Sequence, residues 1–141
     1  MSIEDTPELQ IPHENWTREV VRGMALGESE VSMFDLLRSA LRQRPDEIMV
    51  GDIRGEEGAV VFQAMPTGHP CLATFHASSV EKLIQRLTGQ PINIPKPYID
   101  NLNLVILMSA VRLPNGQTGR RVTSINEIIG YDSIADCFGY I

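Results

Sequence analysis

Apolar positions along the chain fall into alternating helical and extended rhythms. Between Val31 and Arg44, Phe34, Leu37 and Leu41 recur at spacings of three and four, which places them on one face of a helix. Ser32 with Asp35 supplies a capping-box start, and Pro45 ends the helix. Ile48 to Val50 is a short apolar run ending at Gly51 and fits a buried central strand. Glu56 to Met65 is predicted as a second helix closed by Pro66, Thr67 and Gly68, and Cys71 to Phe75 as another buried strand. Ser78 with Glu81 reads as a second capping box, ahead of an apolar stripe of Val80, Leu83, Ile84 and Leu87 that closes at Gly89. Leu104 to Val111 leads as a strand into the turn Pro114-Asn115-Gly116, and Arg121 to Ile129 returns. Strand, helix, strand, helix and hairpin predict an α/β fold, a mostly parallel sheet flanked by helices with an antiparallel edge. The first forty residues fit this scheme less well: Ser2 to Asp5 reads as the close of a strand whose earlier part is missing, and Tyr131 to Ile141 carries no pattern.

Composition narrows the class. The 141 residues are 43% hydrophobic and 21% charged, the balance of one ordinary globular domain. A net charge of -6 argues against a nucleic-acid surface, and Arg42, Arg44, Arg120 and Arg121 are too few for a basic patch. Cys71 and Cys137 lie far apart and form no C-x-x-C pair, so a reducing compartment is expected. Met1 to Gln10 carries acids and a proline in place of a basic and then apolar leader. The longest apolar stretch, Leu102 to Val111, is far short of the ~20 residues of a membrane span. A cytosolic protein is the expectation.

Candidate chemistry gathers where strands would end, the usual place for ligand and catalytic residues in open α/β sheets. In Ile3 to Glu8, Glu4 can polarise a water as general base and Asp5 can orient a neighbour or a metal; the alternative is a solvated acidic turn. In Ile48 to Glu56, an apolar strand delivers Asp52 at its tip, as nucleotide hydrolases do to hold Mg²⁺; the alternative is a loop acid capping the following helix. In Thr67 to Ala77, His69 and His76 bracket a strand with Cys71 close by. A zinc site is one reading, although this spacing puts one histidine at each end of the strand; contact with a phosphate is another, and two plain loop histidines a third. Trp16, in His13-Glu14-Asn15-Trp16, is expected to serve packing or an interface.

Taken in order, these clusters resemble the signature of the type II/type IV secretion, pilus and archaellum motor ATPases. Ser2 to Leu9 resembles their aspartate box, Leu41 to Glu57 their Walker B segment, and Thr67-Gly68-His69 with Thr74-Phe75-His76-Ala77 their histidine box. His13 to Trp16 and Pro91 to Pro95 look like the archaeal branch, and the likeness runs from Ser2 to about Asp132. It implies part of a RecA-like P-loop ATPase domain, working as a homo-hexameric ring peripheral to the cytoplasmic membrane. Such a ring uses ATP and Mg²⁺ to drive secretion or pilus or archaellum assembly against a membrane platform protein. By position, Glu4 becomes the glutamate near the attacking water and Asp52 the Walker B acid, acting on Mg²⁺ or its water shell. His69 and His76 become the histidine-box pair, with His76 nearer the γ-phosphate.

The sequence departs from that family in three ways. No stretch matches G-x-x-x-x-G-K-[ST], the backbone nest and lysine that hold phosphates, and the arginine-bearing N-terminal domain is missing. Asp52 also stands where the family has glutamate. The expectations are little independent hydrolysis, exposed apolar faces and a marginally stable or self-associating chain, with intact ATPase subunits as partners. Two rival readings follow: a catalytically degenerate adaptor of such a ring, and a small zinc domain built on His69, Cys71 and His76.

Overall fold

The computed structural model describes residues 1–23 and 30–141. Seven strands and three α-helices are formed among them. The strands are β1 (Ser2–Glu4), β2 (Arg18–Val20), β3 (Ile48–Asp52), β4 (Cys71–Thr74), β5 (Leu104–Arg112), β6 (Thr118–Asp132) and β7 (Cys137–Tyr140). The helices are α1 (Met33–Ala40), α2 (Glu57–Ala64) and α3 (Val80–Thr88), with 3₁₀ turns over Met65–Thr67 and Lys96–Asn101.

Four strands make a parallel sheet in the order β2-β1-β3-β4. Its inner members β1 and β3 are buried: Ile3 and Ile48 are inaccessible and Val50 nearly so. Parallel strands covered on both faces read as short unbroken apolar runs, which is why Ile48 to Val50 is legible. The mixed α/β class and the parallel sheet match the sequence expectation. The antiparallel hairpin does not form an edge of that sheet. β5, β6 and β7 make a second, three-stranded sheet of their own, joined to the rest through the common core by Val105 and Ile128 and through a hydrogen bond from Tyr140 of β7 to Glu81 of α3. The stretch from Tyr131 onward, patternless in sequence, supplies β7, because β6 runs on to Asp132 and turns back at once.

Local rules account for the helices. Ser32 caps α1 in a full capping box with Asp35, as its spacing predicts. The helix ends earlier than Pro45 requires: Leu41 is its C-cap, and Arg44 takes a left-handed conformation at φ 53°. α2 is covered nearly all round, with Gly58, Val60, Val61, Phe62 and Ala64 buried, and it packs against α1. Gly58 lies so close to its neighbours that a Cβ there would stand 2.8 Å from Ile92 Cγ2 and 3.1 Å from Ile53 Cγ2. At α3 the N-cap is Ser79 rather than Ser78: its hydroxyl accepts from the Lys82 amide, one residue beyond the box expected from the sequence. The stripe of Val80, Leu83, Ile84 and Leu87 is buried as expected.

The β5–β6 hairpin is apolar on both faces. Val105 and Ile128 point into the core, whereas Leu104, Ile106, Met108, Val122 and Ile125 are all more than half exposed. The register places Ile106 opposite Ile125 and Met108 opposite Val122, so these side chains form one continuous strip. β4, the outermost strand of the parallel sheet, likewise exposes Leu72. The buried strand expected over Cys71 to Phe75 is instead a largely exposed edge, because β4 has a neighbour on one side only.

Candidate functional site

The parallel sheet brings three strand ends together. β1 ends at Glu4, β3 ends at Asp52, and His76 follows two residues beyond the end of β4. All three line one cleft of ≈ 460 Å³, together with Asp5, Arg54 and Arg120. His69 is not in it. It precedes β4 at the opposite end of the strand and lines a separate cavity with Cys71 and Asp100, its Nδ1 lying 3.0 Å from the Thr67 hydroxyl. The expected histidine pair is therefore split between two cavities. The same separation removes the zinc reading, and among the described residues no group of three or more His, Cys, Asp or Glu is placed to hold a metal. An extended strand spaces its two ends too widely for one ion.

Glu4 is the most constrained group of the cleft, with its side chain only 3% exposed. Its Oε1 accepts from the backbone amides of Glu8 and Leu9, both at 2.8 Å. Its Oε2 accepts from Arg18 Nε at 3.1 Å. Burial is the largest single influence on the carboxyl and pushes its pKa up. The Leu9 and Glu8 amides and the Arg18 guanidinium together outweigh it, and the net result is a pKa held below the ordinary value of 4.5. The acidic turn after β1 is thus not simply solvated: its backbone folds back to bind the Glu4 carboxylate.

Asp52 is aimed by a β-bulge. Val50 pairs with Ala73 and Asp52 with Thr74, so Gly51 is the extra residue of β3 and the strand bends as it reaches the cleft. Asp52 Oδ2 accepts from Arg54 Nε at 2.6 Å and lies 3.4 Å from His76 Nε2. Asp52 does not cap α2. No side chain caps α2; Glu57 instead ties down the preceding loop, its Oε1 accepting from the amides of Arg54 at 2.6 Å and Gly55 at 2.7 Å. The His76 side chain is 84% exposed, but its backbone is tied down. Arg86 of α3 donates to the His76 carbonyl and lies over the Phe75 ring, 4.8 Å from its centroid.

Sequence reasoning missed Arg18, Arg86 and Arg120. Arg18 sits on β2, a three-residue strand with no apolar run to announce it, and Arg120 reaches the cleft from the second sheet. Single arginines carry no periodic signal, and only the sheet order reveals what they face. Trp16 is explained by the same neighbourhood: its indole Nε1 donates to Ser2 Oγ at 2.9 Å, and Arg18 lies 5.3 Å from its ring centroid.

Asp52 fits a partial role in holding Mg²⁺, which commonly takes one or two carboxylates and completes its shell with phosphate oxygens and water. Its Oδ1 makes no hydrogen bond among the described residues, whereas Oδ2 is engaged by Arg54.

Comparison with known proteins places this arrangement. The chain is 55% identical over 130 residues to protein MJ0900 of Methanocaldococcus jannaschii, covering 92% of this chain and 23% of that protein. Protein VirB11 of Agrobacterium fabrum is 38% identical over 80 residues, covering 56% of this chain and 23% of VirB11. The crystal structure of the VirB11 ATPase from the Brucella suis type IV secretion system, in complex with sulphate, matches with a TM-score of 0.65 and 26% identity, over 88% of this chain and 39% of that one. The chain thus spans well under half the length of each of these relatives. The family described as type II/IV secretion system proteins matches residues 1–114, a span that contains β1, β3, β4 and the strand-end residues Glu4, Asp52 and His76, and the chain belongs to that family.

Proposed function

We propose that these residues form the hydrolytic half of a nucleotide site in a motor ATPase of a secretion, pilus or archaellum system. The observation that carries the reading is the convergence of Glu4, Asp52 and His76 from the ends of three strands onto one cleft. Phosphoryl transfer to water needs positioning and charge more than covalent chemistry. Glu4, ionised and immobile, orients the attacking water and takes its proton as the new bond to the γ-phosphorus forms and the bond to the β-γ bridging oxygen breaks. Asp52 would hold Mg²⁺ or one of its waters, and the metal would supply neutralisation of the phosphate charge. His76, exposed on a loop braced by Arg86, lies beside Asp52 with its Nε2 3.4 Å from Oδ2, where turning from the carboxylate lets it donate to the phosphate. His69, in the separate cavity, has its share in the family's histidine box through the end of β4 it occupies rather than through the cleft.

No stretch of the sequence matches the phosphate-binding loop, so the phosphate cradle comes from outside these residues. The assembly is a ring of such subunits, a homo-hexamer or a set of intact ATPase subunits. It sits in the cytoplasm against a membrane platform protein. No helix of the described residues is long and apolar enough to cross a membrane. The 2.6 Å contact of Arg54 with Asp52 favours one alternative, a catalytically degenerate adaptor in which the guanidinium keeps the metal's place.

The deciding experiment is Mg²⁺-dependent ATP hydrolysis by this chain alone, and then fused behind a related half that carries a phosphate-binding loop, with Glu4→Gln as control. Silence alone, turnover in the fusion and loss in the variant are expected. A fusion that assembles rings yet stays inactive selects the adaptor, and turnover by the chain alone refutes the half-site reading.

A further inference from the structure

The geometry points to Arg18 as the positioning residue for Glu4, seated on Trp16 and reaching across from the neighbouring strand. This deepens the hydrolytic reading above and rests on it.

A carboxylate on a flexible three-bond stem has many orientations, and a base that must meet one water in one place needs most of them removed. Two amides at 2.8 Å take up the two acceptor sites that a carboxylate oxygen offers at Oε1. Oε2 carries the single bond from Arg18 and keeps one acceptor site among the described contacts. Oε2 is therefore the oxygen able to take a proton from water, and Arg18 is what fixes its direction.

Arg18 is itself held. β2 pairs with β1 in parallel register, Ser2 with Arg18 and Glu4 with Val20, so the guanidinium starts one strand away from its target. Trp16 stacks beneath it and is anchored in turn by the hydrogen bond to Ser2, a fully buried residue of β1. The loop Ser2–Trp16–Arg18–Glu4 closes on β1 at both ends. The Arg18 side chain remains 33% exposed, so it is a brace at the edge of the site rather than a buried ion.

The test uses the fusion described above with Arg18→Gln and Arg18→Lys, alongside Glu4→Gln. A positioning role predicts that Arg18→Gln lowers kcat by roughly 10- to 100-fold with KM for ATP unchanged, and that Arg18→Lys, which keeps a charged donor, recovers part of the loss. In the isolated chain, the ¹⁵N-¹H signal of Arg18 Nε is expected to be protected from exchange and to lose that protection in Glu4→Gln, a readout that needs no nucleotide. Full kcat in Arg18→Gln while Glu4→Gln is inactive overturns this inference alone. A raised KM at constant kcat overturns it too, because Arg18 would then touch the nucleotide. Activity in Glu4→Gln overturns the reading of Glu4 as base.

Discussion

Replacing Glu4 with glutamine removes one charge and keeps the shape. The three bonds that hold the carboxylate predict the cost. The amide oxygen of glutamine can still accept from the Glu8 and Leu9 amides, but its NH₂ then faces Arg18 Nε, donor against donor. One charge-assisted bond is lost and two are weakened. A hydrogen bond to a charged group contributes about 1.5–3 kcal/mol, and the 33% exposure of Arg18 lets water replace part of it, so the expected loss is about 2 kcal/mol at neutral pH. The pH dependence follows from the direction of the shift. The folded pKa of Glu4 lies below its ordinary 4.5, so its contribution is complete above that value and disappears as pH falls through the folded pKa. Urea unfolding followed by far-UV circular dichroism should show the wild-type chain more stable than the variant at pH 7, with the gap closing in acid as wild-type Glu4 takes up its proton. Equal stability at pH 7, or a gap that persists unchanged in acid, refutes the account of the carboxylate as an ion bound by two amides and an arginine.

Two further expectations concern packing and thiol chemistry. Gly58→Ala gains helix propensity of roughly 0.5–1 kcal/mol but pushes a methyl into the buried β-branched side chains of Ile92 and Ile53, an overpacking cost of about 1–3 kcal/mol. A net destabilisation of about 1 kcal/mol in the same urea assay is expected, and a stabilised variant would show that the α2 contact is looser than described. Burial pushes the Cys71 thiol up to about 11, whereas Cys137 is exposed, so at pH 8 iodoacetamide should modify Cys137 first and leave Cys71 largely intact by mass spectrometry. Faster reaction at Cys71 would overturn the burial of that thiol.

The parts of the fold that could be read in the sequence are those where one residue type answers one local demand. Ser32 and Asp35 form the capping box their spacing announces, and Ile48 to Val50 is buried because a strand covered on both faces needs nothing but apolar side chains. The misses share a different cause. β2 is held by its pairing with β1 and has no hydrophobic run of its own, and β7 exists because β6 returns on itself. Sheet membership depends on long-range partners, which is also why the hairpin reads as an edge of the parallel sheet and folds as a separate one. At the site, the positions of Glu4, Asp52 and His76 at strand ends were legible. The separation of His69 from His76 was legible as well, since the run between them reads as a strand, and only the family resemblance paired the two. The bulge at Gly51, the Arg86 brace and the Arg18 contact lie beyond any pattern in the chain.

Trp16 is the single tryptophan of the sequence, and its ring sits between a buried serine of β1 and the guanidinium that binds Glu4. The chain therefore carries its own optical reporter at the one spot where the candidate base is held. Emission excited at the indole band reads the local field of Arg18 and the hydrogen bond to Ser2 without any label. Whatever loosens that arrangement, whether a variant, acid or an arriving partner, will register first as a change in the colour and lifetime of one residue.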